Sequence, residues 1–381
     1  MNTTPLPRRT TRAAALASAA LLLQCLVWLV LPDLNPYIDP HLAQIRTVLP
    51  LTAHTGLLAV LALVGTVCAG IAALRPEHTG AGQVVARAAP VLTLGLFAAT
   101  ASMHGLSLAG YVVAMTLPFA AIAAGIVAAV RVPRSRWPLG IALAVGIGVI
   151  VVFRDLIRTA FADNLTAFAE QGTPIWAMLL SFTTLALWVA LTVRGLHDAP
   201  WATRATAWLV RHRRLVTVLA ALGPLPYPLA RLTWLTPWPI GLPEGATEAI
   251  TAWGVMLSLG AWMGAILTLG LILPWGERLP RWLPRIGGRP VPPAAAIVPG
   301  SIVAGLLCLA AVPWTISFLQ APTGTFAPYF FLLPMGYWGV LLALAVWAYA
   351  GYRAQHRPTG TGADRTSLGG APNGPADTMV R

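Results

Sequence analysis

PLTAHTGLLAVLALVGTVCAGIAAL, residues 50 to 74, is an uncharged apolar run, and it decides the class of this protein. A helix needs about 20 apolar residues to cross the hydrocarbon core of a bilayer, and this run is long enough. The composition agrees, because 57% of the 381 residues are hydrophobic and 10% are charged, whereas about 25% of residues in soluble domains are charged. The sequence therefore predicts an integral membrane protein.

Further runs of this kind fill most of the chain, and together they predict an all-α polytopic transmembrane helical bundle of about ten spans. The predicted spans are approximately residues 13–32, 50–74, 86–104, 108–130, 137–153, 173–193, 215–236, 249–274, 294–313 and 328–352. One transmembrane domain, residues 13–352, thus lies between an N-terminal tail (1–12) and a C-terminal tail (353–381). The C-terminal tail is rich in Gly, Pro, Ser and Thr, a composition that predicts disorder.

The arginines predict the orientation, because short cytoplasmic loops retain basic residues. All 25 basic residues are arginine, and with the N-terminus inside all but four of them fall on the inner side. The exceptions are Arg46, Arg154 and Arg158 in outer loops and Arg231 within a span. We therefore predict that both termini are cytoplasmic.

The net charge of +13 does not predict nucleic-acid binding, because the arginines are dispersed among loops and tails. Juxtamembrane arginines attract anionic headgroups, so the bilayer is the expected partner. The three cysteines lie in predicted spans, and their odd number argues against a disulfide framework. Within a span, no histidine has a His, Cys or acid one helical turn away, so the sequence predicts no metal and no cofactor.

Two segments have the pattern of helices that lie along the membrane surface. Residues 154–171 carry an apolar face opposite charged side chains, which is typical of an outer interfacial helix. On the inner side, PWATRATAWLVRHRR (200–214) places tryptophans and arginines at the same seven-residue interval, which favours contact with headgroups over a protein partner.

A weak internal similarity suggests duplication, since internal repeats are common in transporters. The order of helices, proline-containing outer loops and arginine-bearing inner loops is shared by residues 13–130 and 215–352. Both units start inside, so they would be parallel repeats bridged by residues 137–193. Residue identity between the two units is poor.

The seventh predicted span contains a conflict, GPLPYPLARLTW at residues 223–234. Pro224, Pro226 and Pro228 each lack an amide hydrogen, and each disfavours helical geometry in the preceding residue. We therefore predict a helix interruption close to mid-bilayer. Such backbone persists only where it is buried in protein or lines an aqueous cavity, and transporters often bind substrates at such breaks.

Arg231 follows the interruption and is the centre of the predicted site. In the simpler interpretation Arg231 has no ligand-binding role, and its side chain reaches headgroup phosphates or pairs with an acid. The candidate acids are Glu244, Glu248, Asp33 and Asp39. The sharper interpretation is an outward-facing pocket with a fixed cation for an anionic ligand. The candidate ligand-binding residues are Arg231, His54, His104, Tyr227 and Trp234, with Tyr37, His41 and Tyr111 expected at the same level. A histidine inside a helix is more often a buried hydrogen-bonding residue.

The loop PWGERLPRWLPRIGGRPVPP (274–293), together with YPLARLTWLTPWPIGL (227–242), resembles uncharacterised multi-pass membrane proteins that are common in high-GC Gram-positive bacteria. The resemblance covers residues 220 to 310 best and rests on the Trp, Gly, Arg and Pro residues of this loop. It implies a bacterial plasma-membrane location and assigns no catalytic residue. Physically, the same loop has the pattern of a compact inner turn whose arginines contact headgroups and whose tryptophans lie at the interface.

Three functions remain open from the sequence. The first is a membrane protein that binds or transports a small or lipid-like molecule, for example an anionic one, through an outward-facing pocket near the interrupted span. The second is a membrane enzyme at the outer leaflet that uses His54 or His104 with Arg231. The third is a structural or assembly component in which an acid neutralises Arg231.

Overall fold

The computed structural model describes residues 8–74, 79–110, 172–242, 245–279, 287–321 and 327–356, with residue 281 and a few isolated positions between 123 and 158. These residues are largely helical and form no named strand, apart from one isolated bridge between Arg278 and Pro290. The helices are α1 (Arg8–Val30), α2 (Leu51–Leu74), α3 (Thr79–Thr100), α4 (Gly172–Leu196), α5 (Pro200–Arg211), α6 (Arg213–Leu222), α7 (Pro226–Leu232), α8 (Glu248–Leu269), α9 (Ala294–Gln320), α10 (Ala327–Leu332) and α11 (Met335–Gln355).

Within the described ranges, seven helical stretches are long and apolar enough to cross a membrane, which supports an integral membrane protein. They are Arg8–Val30, Leu51–Leu74, Gly80–Thr100, Ile175–Leu196, Arg213–Leu235, Ala294–Gln320 and Pro328–Gln355. Each corresponds to a predicted span. The predicted span 249–274 forms α8, whose part Leu257–Leu269 is a shorter apolar helix. The predicted spans 108–130 and 137–153 lie largely outside the described residues, so the count of about ten stays a prediction.

The first four helices pack into an N-terminal bundle, in which α1 contacts α2 and α4, and α3 contacts α2 and α4. Its core includes Leu21 of α1, Leu58 of α2, Leu96 of α3 and Trp188 of α4, all of them almost fully buried. The Trp188 indole N–H donates to the Ser18 hydroxyl at 3.1 Å. Residues from α4, the sixth predicted span, thus belong to this bundle.

A loop closes one end of the N-terminal bundle. Residues 32–47 fold as a series of short 3-10 turns, several of which start at a proline whose fixed φ suits the first turn position. The Asn35 side chain caps the turn at Tyr37 and also donates to the Thr55 hydroxyl of α2 at 2.8 Å. The Gln44 amide donates to the Ala101 carbonyl at 2.8 Å. We call residues 31–50 the cap loop.

The remaining helices form a C-terminal bundle, in which α11 packs against α5, α6 and α9, and α8 packs against α6 and α7. Its core includes Val216, Leu307, Leu342 and Tyr349. The two bundles share α9, because Leu309 contacts the N-terminal core while Leu307 belongs to the C-terminal one.

The loop after α8 is held against α11 by hydrogen bonds. The Tyr349 hydroxyl donates to the Gly276 carbonyl at 3.0 Å, and Arg353 donates to the Val291 carbonyl at 2.9 Å. A Cβ atom at Gly276 would lie 1.7 Å from the Gly270 carbonyl oxygen, so this close backbone approach requires glycine. Gly288 has a φ of 78°, the left-handed conformation that glycine adopts most readily.

Several predicted boundaries differ from the observed ones. α1 begins at Arg8, so residues 8–12 of the predicted tail are helical. α11 continues to Gln355, and Arg353 therefore belongs to the helix rather than to the predicted disordered tail. The predicted inner interfacial segment does form a helix, α5, with Trp201 and Trp208 exposed. The predicted outer interfacial helix, 154–171, lies largely outside the described residues.

Candidate functional site

The predicted interruption of the seventh span is present, and it is a tight turn rather than an unwound segment. α6 ends at Leu222, residues 223–225 form the turn, and α7 begins at Pro226. Gly223 has φ −52° and ψ −49°, and Leu225 has φ −65° and ψ −35°. The expectation that the prolines would push these two residues out of helical geometry is therefore wrong. The steric preference of a residue before proline is a tendency that packing overrides here.

The interruption consists of changed hydrogen bonds. The Gly223 amide donates to Ala220, and the Leu225 amide donates to Leu222, at 3.2 and 3.1 Å. Both bonds reach back three residues instead of four, which is the 3-10 pattern. The Leu219 carbonyl thereby loses the Gly223 amide. It accepts the Tyr337 hydroxyl of α11 at 3.1 Å instead.

Protein covers the interruption. Gly223 and Pro224 are buried, and a Cβ atom at Gly223 would lie 2.9 Å from Cβ of Trp338. The Trp338 ring also reaches α8, where a Cβ atom at Gly264 would lie 3.1 Å from it. Interrupted backbone in a membrane must either be buried in protein or line an aqueous cavity. On this side of the turn it is buried in protein.

Arg231 lies in the last turn of α7, against two aromatic rings. Its guanidinium carbon is 3.7 Å from the Trp234 ring centroid and 5.0 Å from that of Tyr227. The Trp234 indole N–H donates to the Ile240 carbonyl at 2.8 Å, which fixes the ring on which the arginine stacks. The guanidinium also reaches α8, because a Cβ atom at Gly254 would lie 3.1 Å from its Nη1 atom. The structure therefore brings Tyr227, Arg231 and Trp234 together.

Arg231 is half-buried, and it has no hydrogen bond or ion pair within the part of the chain that the structure describes. Of its predicted partners, Glu244 and the Glu248 side chain lie outside the described residues. Asp33 is exposed on the cap loop, and Asp39 there accepts the His41 amide at 2.9 Å. The stacked guanidinium keeps its N–H donors for another acceptor.

His54 lies in the first turn of α2, inside the N-terminal bundle. Its Nε2 atom donates to the Ala99 carbonyl at 3.0 Å, since a carbonyl only accepts. Its ring packs edge-on against Tyr37, with 4.7 Å between the ring centroids. Its Nδ1 atom is buried without a partner. His54 thus has the buried hydrogen-bonding role that its position inside a helix favoured.

His104 begins a helical segment at residues 104–110 rather than ending α3, because α3 stops at Thr100. The neighbouring Gly105 packs against Phe182 of α4 and Leu306 of α9, so this segment lies where the two bundles meet. The His104 Nδ1 atom is buried without a partner.

The predicted residues do not form one group among the described contacts. The hydrogen bond and the ring contact of His54 lie in the N-terminal bundle, whereas the ring contacts of Arg231 lie in the C-terminal bundle. His41 is exposed on the cap loop, and Tyr111 lies outside the described residues. In the described ranges, no three His, Cys, Asp or Glu residues lie close enough to hold a metal ion.

Two important residues were missed in the sequence, Tyr337 and Trp338. Both lie near the start of α11, in PMGYWG, where an aromatic pair is easily explained as an interfacial anchor. In the structure Tyr337 donates to the Leu219 carbonyl that the interruption frees, and Trp338 packs beside Gly223. A signal was present, because a freed carbonyl in a membrane needs a donor from another helix.

Tyr37 was expected at the level of the site. In the structure its side chain fills the capped end of the N-terminal bundle. Its side chain is fully buried between Trp28 and His54. Burial raises the pKa of Tyr37 to about 12, and the nearby Ser181 hydroxyl partly opposes this shift.

Comparison of the chain with protein-family models, with curated proteins and with solved structures gave no match.

Proposed function

We propose that this integral membrane protein binds an anionic small molecule or lipid headgroup at Arg231, at the end of the interrupted span that lies opposite Arg211–Arg214. The observation that carries the proposal is a half-buried guanidinium stacked on Trp234 without an acidic partner in the described residues. Arginine suits this role because its planar fork matches carboxylate and phosphate oxygens.

Binding is favoured over passage through the interruption, because Trp338 fills the space beside Gly223. The two alternatives have less support. An outer-leaflet enzyme would need His54 or His104 near Arg231. The contacts of His54 lie in the other bundle, and the segment that His104 begins packs against α4 and α9. A purely structural role would need a neutralising acid, and none of the described side chains supplies one.

The orientation places this site in the outer leaflet if both termini are cytoplasmic. Helical rise puts about 27 Å between Arg213 and Arg231, close to the roughly 30 Å hydrocarbon thickness. Arg213 stacks on Tyr352 at 3.6 Å in the same way that Arg231 stacks on Trp234. A stacked arginine near each end of one span is consistent with a bilayer-spanning position. Arg213 differs from Arg231 in that it pairs with an acid, Glu277, at 3.7 Å.

The test compares Arg231→Gln and Arg231→Lys with the wild-type protein in nanodiscs. The probes are inorganic phosphate in phosphatidylcholine discs and phosphatidylglycerol added to such discs. Loss of a charged hydrogen bond of about 1.5–3 kcal/mol predicts roughly ten- to hundredfold weaker binding in Arg231→Gln. We expect Arg231→Lys to recover part of the affinity, because it restores charge but not the fork.

Arg214→Gln is the matched control, since Arg214 is an exposed arginine at the other end of the same span. Equal affinity of wild-type and Arg231→Gln proteins, with both folded, contradicts the proposal. Phosphate binding without a preference for phosphatidylglycerol identifies a soluble anion as the ligand. A preference for phosphatidylglycerol without phosphate binding identifies a lipid headgroup.

A further inference from the structure

The capped end of the N-terminal bundle contains polar side-chain atoms that are buried without a partner. These atoms come from four parts of the fold and are the Gln24 Oε1, Tyr37 hydroxyl, His54 Nδ1 and Ser102 hydroxyl. Tyr37 and His54 are 0% exposed, and Ser102 is 2% exposed. Buried polar atoms in proteins nearly always have partners, so four at one end of a bundle indicate something that supplies them.

The contacts of these residues place them at the same end. The Tyr37 and His54 rings touch, and His54 donates to Ala99, which precedes Ser102 by three positions. Trp28, one helical turn after Gln24 on α1, packs against Tyr37 at 5.8 Å. The Tyr37 hydroxyl also lies beside the Ser181 hydroxyl of α4, but the two do not meet hydrogen-bond geometry.

The donor and acceptor properties of these atoms indicate what kind of ligand they could bind. Because His54 uses Nε2–H as a donor, the neutral ring presents Nδ1 as an acceptor. Gln24 Oε1 is also an acceptor, and the two hydroxyls can donate or accept. Within the described cap loop, Asp33 and Asp39 are exposed rather than buried with these atoms, so the group carries no buried carboxylate. The cation of the cap loop, Arg46, is engaged with the Tyr37 and Leu49 carbonyls. The set therefore complements a neutral molecule that donates hydrogen bonds.

The cap loop encloses this group. Arg46 donates to the Tyr37 carbonyl at 2.9 Å, and Asn35 donates to Thr55 at 2.8 Å. These bonds hold Tyr37 over the end of α2. We infer that the capped end of the N-terminal bundle is a second binding site, separate from Arg231, for a small neutral hydrogen-bond donor, which is either ordered water or a small polar molecule.

The sign of a stability change tests this inference. Removing a buried hydroxyl that lacks a partner is neutral or stabilising, whereas removing one that is bonded to an occupant is destabilising. We expect Tyr37→Phe and Ser102→Ala, each in the full chain in phosphatidylcholine nanodiscs, to lower the midpoint of thermal denaturation. An unchanged or raised midpoint in either folded variant overturns the inference.

One variant outside the site calibrates the sign of the change. Tyr349→Phe removes a buried hydroxyl with a known acceptor, the Gly276 carbonyl, and must lower the midpoint.

Mass spectrometry of the denatured protein separates the two occupants. A small molecule released from wild-type protein and depleted from His54→Phe protein identifies a polar organic ligand. Lowered midpoints without a released molecule identify ordered water. Neither result depends on anion binding at Arg231, so the two proposals fail independently.

Discussion

The buried polar side chains of this protein are of two kinds, a cation beside aromatic rings and neutral groups inside a helix bundle. Arg231 is charged and half-buried, and its positive charge is placed against the faces of Trp234 and Tyr227. His54 and Tyr37 are neutral groups that are fully buried. A cation near an interface can extend toward water or phosphate, whereas a fully buried group depends on hydrogen bonds from within the fold.

Tyr37 gives a prediction for alkaline pH. Burial raises its pKa from the usual value of about 10 to about 12 in the folded protein. The folded state therefore holds this proton more tightly than the unfolded state, so the stability from neutral Tyr37 is complete below pH ~10. It is lost as the pH rises from about 10 toward 12, by roughly 1.4 kcal/mol per pH unit.

The measurement is the free energy of unfolding of wild-type and Tyr37→Phe proteins between neutral pH and pH ~11. We expect the wild-type protein to lose more stability than the variant above pH ~10. The other tyrosines titrate in both proteins, so the difference isolates Tyr37. Parallel curves would show that the Tyr37 hydroxyl is in contact with solvent.

At the scale of helices, the interrupted span shows how a membrane protein accommodates three prolines. Each proline removes one amide donor. The Gly223 and Leu225 amides, which donate three residues back, supply donors to the Ala220 and Leu222 carbonyls. A third carbonyl, that of Leu219, depends on Tyr337 of another helix. The turn and α11 are therefore coupled through one side-chain hydrogen bond and the packing of Trp338.

This coupling predicts the outcome of a double-mutant cycle. Tyr337→Phe leaves the Leu219 carbonyl without its donor, and we expect a cost of about 0.5–1.5 kcal/mol in the free energy of unfolding. In a Pro224→Ala background the new amide can bond Ala220, which frees the Gly223 amide for Leu219. The cost of Tyr337→Phe should then shrink. Equal costs in both backgrounds would show that Tyr337 does not support the interruption.

The sequence predicted the spanning helices well because an apolar run is a local property. α2 was predicted at residues 50–74 and is observed at Leu51–Leu74. Which helices pack together is not local, so the division of His54 and Arg231 between two bundles could not be predicted. The helical torsions of Gly223 and Leu225 were mispredicted for the same reason, since Trp338 and Tyr337 lie more than a hundred residues away along the chain.

At the scale of the whole molecule, two bundles share α9, and each contains one of the candidate sites. α9 can serve both bundles because its two faces are apolar, with Leu309 on one side and Leu307 on the other. Its neighbour, the segment 104–110, packs at the same boundary through Gly105. Arg231 and the capped end of the N-terminal bundle are therefore built on separate helix packings, and a ligand at one site need not contact the other.

The membrane orientation is testable with a matched pair of exposed histidines. His41 lies on the cap loop, and His197 lies between α4 and α5 with 80% of its side chain exposed. The arginine distribution predicts that His41 is outside and His197 is inside. In a background with the three native cysteines replaced by alanine, we expect an impermeant maleimide on intact cells to label His41→Cys and not His197→Cys. Permeabilised cells should label both.

The same pair tests the number of spans. α2, α3 and α4 lie between these positions, and three crossings put them on opposite sides of the membrane. Adding both predicted spans, 108–130 and 137–153, keeps the positions on opposite sides, whereas adding one alone would put them on the same side. Labelling of both variants in intact cells would therefore contradict the pairing of these two spans. Labelling of His197→Cys alone would reverse the orientation and place Arg231 near the cytoplasm.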